Sequence, residues 1–416
     1  MRTGVSTPEA GQPLADAGVL IIWPKASASV GVVLQTFLSR HRRTPSGAFV
    51  FVSHPVPGSV LRESEFEVHA GSEPVWHTRV GREQYLPLAS DAIDAIISVP
   101  FLLWTRRRYD LLITAGLNLG LLGIFLRWIG MVRRVAFVVM DYWPRKYASP
   151  LWSRIYRRLY GWCSTHVDVV VDVAPTIEEA RVRDGIRVRP ERRLTIPHVI
   201  DPVVVGWLPR EQLEPDSMIW TGATTPESGF DLVIDAVERL APQRPAVTVY
   251  VTSYTPFPDH LWRRIQEKGL ERHFRLLGYI QDELEFSQIV RRFRIGLAPY
   301  RPQPDTVKRF AGVARPWTYL ANGVPPVVTG VPFDAEEIER AGAGMLIDYR
   351  PEQLADVVLR LLTDDELHER CRRRGLELVR SRAPQPVFAG MLTRMGLIPD
   401  LETAQAVATP AAAASP

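Results

Sequence analysis

Short apolar runs recur along this chain, and most are separated by segments whose apolar positions repeat at helical spacing. The runs at 19–23, 48–53, 110–114, 135–140, 167–173 and 193–196 predict buried strands. Weaker strand patterns fall at 66–69 and 75–77. Helical periodicity is expected over 30–41, 90–107, 118–129, 150–163 and 176–184. The pattern then restarts, with strands expected at 218–220, 247–252, 274–277, 295–300, 327–329 and 345–347. They alternate with helices expected at 230–240, 258–267, 283–291, 315–322, 351–362 and 364–381. Strands this apolar, alternating with helices, predict an α/β fold: mainly parallel Rossmann-like sheets with helices on both faces, built twice over.

A length of 416 residues is too great for one compact core and suits two domains. The expected division is a first Rossmann-like domain over 17–207 and a second over 217–383, joined by the polar, proline-bounded linker 208–216. Segment 384–399 carries a last helix, 385–395, and the ends 1–16 and 400–416 have the composition of disordered tails. The start lacks the basic and apolar blocks of a secretory signal. The longest apolar stretch, 117–131, is interrupted by Arg127 and is too short to span a bilayer. Cytoplasmic residence is the resulting expectation.

Cys163 and Cys371 have neither disulfide-framework nor zinc-site spacing, and no His/Asp/Glu cluster has divalent-metal spacing, so no metal is expected. The net charge of +4 is unevenly spread. Residues 97–165 hold ten Arg and one Lys against Asp110 and Asp141, a local balance of +9. Trp104, Trp128, Trp152 and Trp162 interleave with these cations. Such a face suits an anionic membrane surface and a peripheral location, although the same Trp residues would also serve a core. Nucleic acid would suit the charge, yet no recognition motif accompanies it, so no nucleic-acid partner is expected.

The densest signal lies at 295–329: a strand ending Ala298-Pro299-Tyr300, a basic loop, a short helix from Arg315, then Gly323 and Pro325 before the next strand. An ordinary βαβ turn could look the same. The pattern resembles the donor motif of GT-B glycosyltransferases, the group 1 or family 4-like branch. Arg315 stands where that branch has Lys, Thr318 where it usually has Glu, and Tyr319 where it has Tyr. The spacing from Tyr300 to Arg315 is similar to that of the xanthan glucuronosyltransferase family. Two further stretches resemble GT-B segments: Pro197-His198-Val-Ile-Asp201-Pro202, and the loop from Thr221 to Gly229 before a helix.

The resemblance implies a nucleoside-diphosphate sugar as donor, no cofactor or metal, and a glycan or lipid-linked acceptor of polysaccharide biosynthesis. It also implies two Rossmann-like domains facing across a cleft, with the C-terminal helix crossing back to the first. Asp141 ends an apolar strand among Arg133, Arg134, Arg145 and Lys146, where a carboxylate stays ionised and could take a proton from an attacking hydroxyl. Helix capping or a pair with Arg145 would be its structural roles. The implied nucleotide-sugar site comprises Gly222, Ala223, Thr224, Tyr279, Tyr300, Arg315, Thr318 and Tyr319. Relatives carry cations where this chain has Ala223 and Ser228, leaving Arg315 for the diphosphate, with Lys308 and Arg309 as alternatives. Thr318 can make only part of the ribose contacts of a Glu. His54 and His198 fall at strand ends and read more readily as loop hydrogen-bonding residues. A hexosyl- or glucuronosyltransferase is the leading expectation; a nucleotide-sugar epimerase of the same fold and a non-catalytic scaffold are the alternatives.

Overall fold

The computed structural model describes residues 18–25, 48–56, 58–70, 74–81, 87–105, 108–143, 145–147, 149–196, 207–304, 306–380, 382 and 390–395. The expected helix at 30–41, the 197–202 segment with His198, and both expected disordered ends lie outside these residues. The chain divides into two compact units. One comprises Met1–Met140, Pro144–Pro197 and Pro384–Pro416; the other comprises Asp141–Trp143 and His198–Ala383.

The first unit runs β1 (Val19–Lys25), β2 (Ala48–Pro55), β3 (Glu63–Ala70), β4 (Pro74–Gly81), α1 (Pro87–Thr105), β5 (Tyr109–Ala115) and α2 (Leu117–Trp128). It continues with β6 (Val132–Val139), α3 (Pro150–His166), β7 (Val169–Asp172), α4 (Pro175–Arg183) and β8 (Arg193–Thr195). Its eight strands are ordered β4-β3-β2-β1-β5-β6-β7-β8. The sheet is parallel from β2 to β8, while β3 and β4 add an antiparallel edge. In β3, Phe66 and Val68 are buried while Glu65 and Glu67 are only half-buried. That two-faced character makes the strand longer than its apolar content announces. Gly120 of α2 allows close packing on α3, since a Cβ there would stand 2.8 Å from Cys163 Sγ. Both cysteines are free and buried.

The second unit runs β9 (Ser217–Thr221), α5 (Phe230–Leu240), β10 (Thr248–Thr252), α6 (Asp259–Glu267), β11 (Phe274–Gly278), α7 (Glu283–Val290) and β12 (Ile295–Ala298). It ends with α8 (Ala314–Ala321), β13 (Pro326–Thr329), α9 (Ala335–Arg340), β14 (Met345–Ile347), α10 (Pro351–Thr363) and α11 (Asp365–Arg380). Six parallel strands take the order β11-β10-β9-β12-β13-β14. The strand order therefore reverses between β9 and β12. In open α/β sheets that point, at the carboxyl ends of the strands, is where ligands bind.

Two differences from the sequence reading stand out. The short, charged helix α9 buries only Ala335 and Ile338, too few for a periodic signal. The stretch 208–216, expected as a linker, lies within the second unit and is bonded into it. Arg372 Nη2 donates to the Leu208 carbonyl at 2.7 Å, Leu213 is buried, and Arg210 pairs with Asp365. No helix among the described residues is long and apolar enough to cross a membrane.

Candidate functional site

The candidate site forms where β9 and β12 end. Leaving β9, the backbone turns at Gly222, whose φ of +83° favours a residue without Cβ. Its N–H donates to the Thr252 carbonyl at 2.9 Å, and its own carbonyl accepts from Trp220 Nε1 at 3.0 Å. Seven residues on, Gly229 is held at φ +79° against the end of β12. A Cβ there would lie 1.9 Å from the Pro299 carbonyl oxygen, so the loop lies directly against that strand's exit.

Arg315, in the first turn of α8, reaches back to this loop. Its Nη2 donates to the Ala223 carbonyl at 3.1 Å. The guanidinium lies 3.9 Å from the centre of the Trp220 ring and 5.3 Å from that of Tyr300. Its Nη1 is buried with no hydrogen-bond partner, and no carboxylate pairs with Arg315 among the described residues. Lys308, on the short turn Val307–Phe310, stands 6.0 Å from the same Tyr300 ring. Burial lowers its pKa; Asp141 and Glu227 oppose that effect and Arg315 adds to it. Two neighbouring cations, Arg315 and Lys308, thus flank one buried aromatic ring.

Asp141 belongs to the same unit. It makes a short antiparallel bridge with Ala311, and the Tyr142 N–H donates to the Phe310 carbonyl at 2.9 Å. Asp141 keeps solvent access, yet the protein crowded around it raises its carboxyl above the ordinary aspartate pKa, against the pull of the Lys308 ammonium. Tyr254, a residue not singled out in the sequence, stands close to these groups. Its ring would be 4.0 Å from a Cβ on Gly222, and burial raises its hydroxyl pKa, with Asp141 adding and Arg315 opposing. Trp220 was also passed over. Both end or follow central strands of the sheet, and that position is the signal that could have found them.

The structure therefore gathers Gly222, Ala223, Tyr300, Arg315 and Asp141, with Lys308 as the alternative cation that joins them. Arg309 is exposed on the same turn. Thr224 is buried with its hydroxyl unpartnered, and Thr318 is half-buried one turn along α8 from Arg315. Tyr279 follows the edge strand β11, two strands away from β9. Tyr319, also among the implied binding residues, lies inside the unit. It is fully buried, its hydroxyl accepts from the Thr221 N–H at 2.9 Å, and it donates to the Leu297 carbonyl at 3.2 Å. Its ring lies on β12 where Gly296 leaves space, since a Cβ there would come within 2.2 Å. Tyr319 ties α8 to the two central strands. His54 is likewise internal, hydrogen-bonded to Ser64 and Ser98 at 2.9 Å each. No metal-holding group of His, Cys, Asp or Glu exists among the described residues.

Residues 215–364 match the model of the family described as glycosyl transferases group 1, just over a third of the chain. No curated protein sequence matches the chain. Among solved structures, sucrose-phosphate synthase from Thermosynechococcus elongatus aligns at 14% identity with a TM-score of 0.64, covering 94% of this chain and 100% of that one. Anabaena HepE in complex with UDP and glucose aligns at 15% identity with a TM-score of 0.63, covering 95% and 100%. Staphylococcus aureus TarM, at 12% identity and TM-score 0.56, covers 81% and 74%. At such identities the likeness establishes the fold, which is GT-B.

Proposed function

We propose that this chain, whose residues 215–364 are a glycosyl transferases group 1 domain within a GT-B fold, transfers a sugar from a nucleoside-diphosphate sugar to an acceptor hydroxyl. One observation carries the reading. Where the strand order reverses, Arg315 and Lys308 stand together; among the described residues no carboxylate pairs with Arg315, and its buried Nη1 has no partner. A diphosphate would supply the missing negative charge and acceptors. As the glycosidic bond breaks, negative charge grows on the leaving nucleoside diphosphate, and fixed cations there favour the transition state. Because these side chains supply the positive charge, no divalent cation is expected to be needed.

Asp141 is the proposed general base. Its solvent access lets an acceptor hydroxyl approach, and its raised pKa makes it a better proton acceptor than an ordinary aspartate. Direct attack with such a base gives inversion. A glycan or lipid-linked precursor is the proposed acceptor, with a hexosyl or glucuronosyl unit transferred. UDP-complexed HepE makes UDP the first nucleotide to try.

Calorimetry with UDP, GDP and their sugars tests the donor site directly. Binding of one of them, with sugar release dependent on added acceptor, is the expected result. Turnover without acceptor would point to an isomerase instead, and binding of none would remove the donor site.

Lys308 gives a pH test with a defined sign. Its ammonium lowers the Asp141 pKa, so Lys308→Met should raise that pKa further. A base acts only when deprotonated, so rate is lost as pH falls through its pKa. The acid limb of kcat/KM should therefore move to higher pH in Lys308→Met. An unmoved limb would separate Lys308 from Asp141.

A further inference from the structure

Helix α3 has one face that the fold of its own unit does not use. Ser153, Tyr156, Tyr160 and Cys163 form its buried seam. Leu151, Trp152, Ile155, Leu159 and Trp162 are instead 60%, 49%, 36%, 43% and 46% exposed. At 3.6 residues per turn these five side chains fall within an arc of roughly 100°. The buried seam borders that arc on one side, and exposed Arg154 and Arg158 border it on the other. No Asp or Glu occurs anywhere in α3.

Helix α2 extends the face. It packs on α3 through Gly120, and Arg127 fixes its end by donating from Nη2 to the His166 carbonyl at 2.7 Å and from Nη1 to Asp168 at 2.7 Å. Beside that junction Phe125 is 48% and Trp128 82% exposed. The two helices follow successive parallel strands, β5 to β6 and β6 to β7, whose right-handed crossovers put both on one side of the sheet.

We propose that this outer face of α2 and α3 docks on an anionic lipid surface. Trp128, Trp152 and Trp162 would sit at the level of the headgroups, with the aliphatic residues just below them. Arg154 and Arg158 would meet the lipid phosphates. Indole rings with an apolar body and one polar N–H favour that depth, and arginine favours phosphate. The charge selects this occupant. A second copy of the chain would set arginine against arginine, whereas an anionic bilayer complements a face that has cations and no acid. This inference rests on the exposed face alone and stands apart from the donor-site reading.

The test is sedimentation of the full chain with phosphatidylcholine vesicles, with and without phosphatidylglycerol. Binding should require the anionic lipid and weaken as salt screens the arginines. Trp152→Glu with Trp162→Glu, and separately Arg154→Glu with Arg158→Glu, should each lower the partition coefficient on the order of tenfold or more. These side chains are exposed, so melting temperature and UDP affinity should match the wild type. Failure of the wild type to bind anionic vesicles, or equal binding by the variants, overturns the proposal. So does a lipid-free dimer that the same variants dissociate, which would assign the face to a second copy.

Discussion

Asp141→Asn should leave UDP affinity almost unchanged while turnover falls by about two to four orders of magnitude, the range that a positioned general base supplies. Asn has the size and polarity of Asp but cannot accept the acceptor's proton. The backbone bridge to Ala311 and the Tyr142-to-Phe310 hydrogen bond use main-chain atoms and should survive the change. Two structural roles were open for this residue, and neither is taken. The cap of α3 is Ser149, and no ion pair joins Asp141 to Arg145 among the described residues. The variant should lose rate at every pH, together with the acid limb that deprotonation of Asp141 produces. Steady-state kinetics across pH, with calorimetry on the same preparation, checks both halves. Wild-type turnover in Asp141→Asn would take the residue out of the mechanism, and weakened UDP binding would make it a donor-site residue instead.

The fold was legible where a strand is buried on both faces. Ile219, Trp220 and Leu297 lie in strands that read as unbroken apolar runs, and the helix between β9 and β10 falls at the expected residues. Legibility declined where burial is one-sided, as in β3, or where a helix offers few apolar residues, as in α9. The site divides along a similar line. Gly222 and Arg315 are marked by local pattern, because a turn and a helix start constrain the residues beside them. Lys308 is marked only as an alternative beside Arg309, because within its own loop it reads as a solvated cation. Its meaning comes from the Asp141–Ala311 bridge, a contact between residues far apart in the chain. Tyr319 shows the converse. Its place in the motif suggested ligand contact, while its actual partner is the gap left by Gly296 on the neighbouring strand. A motif position conveys that a residue matters; only the packing says to what.

Arg315 separates those two kinds of importance most sharply, because it has both. Its Nη2 bond to Ala223 and its stack on Trp220 brace the Gly222 loop, while its buried, unpartnered Nη1 is available to an anion. Arg315→Ala removes both functions. Charge-assisted hydrogen bonds contribute on the order of 1.5–3 kcal/mol each, so UDP binding should weaken by about tenfold to a hundredfold. Uridine, which lacks the diphosphate, supplies the control. If Arg315 acts on the phosphates, uridine affinity should stay within about twofold of wild type while UDP affinity drops. If its contribution is only to brace the loop, both ligands should weaken together and the melting temperature should fall with them. Arg315→Lys should recover part of the UDP affinity, since it keeps the charge and loses the planar fork that can hold two oxygens. It should recover little of any loop bracing, because an ammonium cannot reproduce the guanidinium's flat stack over Trp220. Equal UDP affinity in wild type and Arg315→Ala would move the diphosphate away from α8 and leave Lys308 as the next cation to replace.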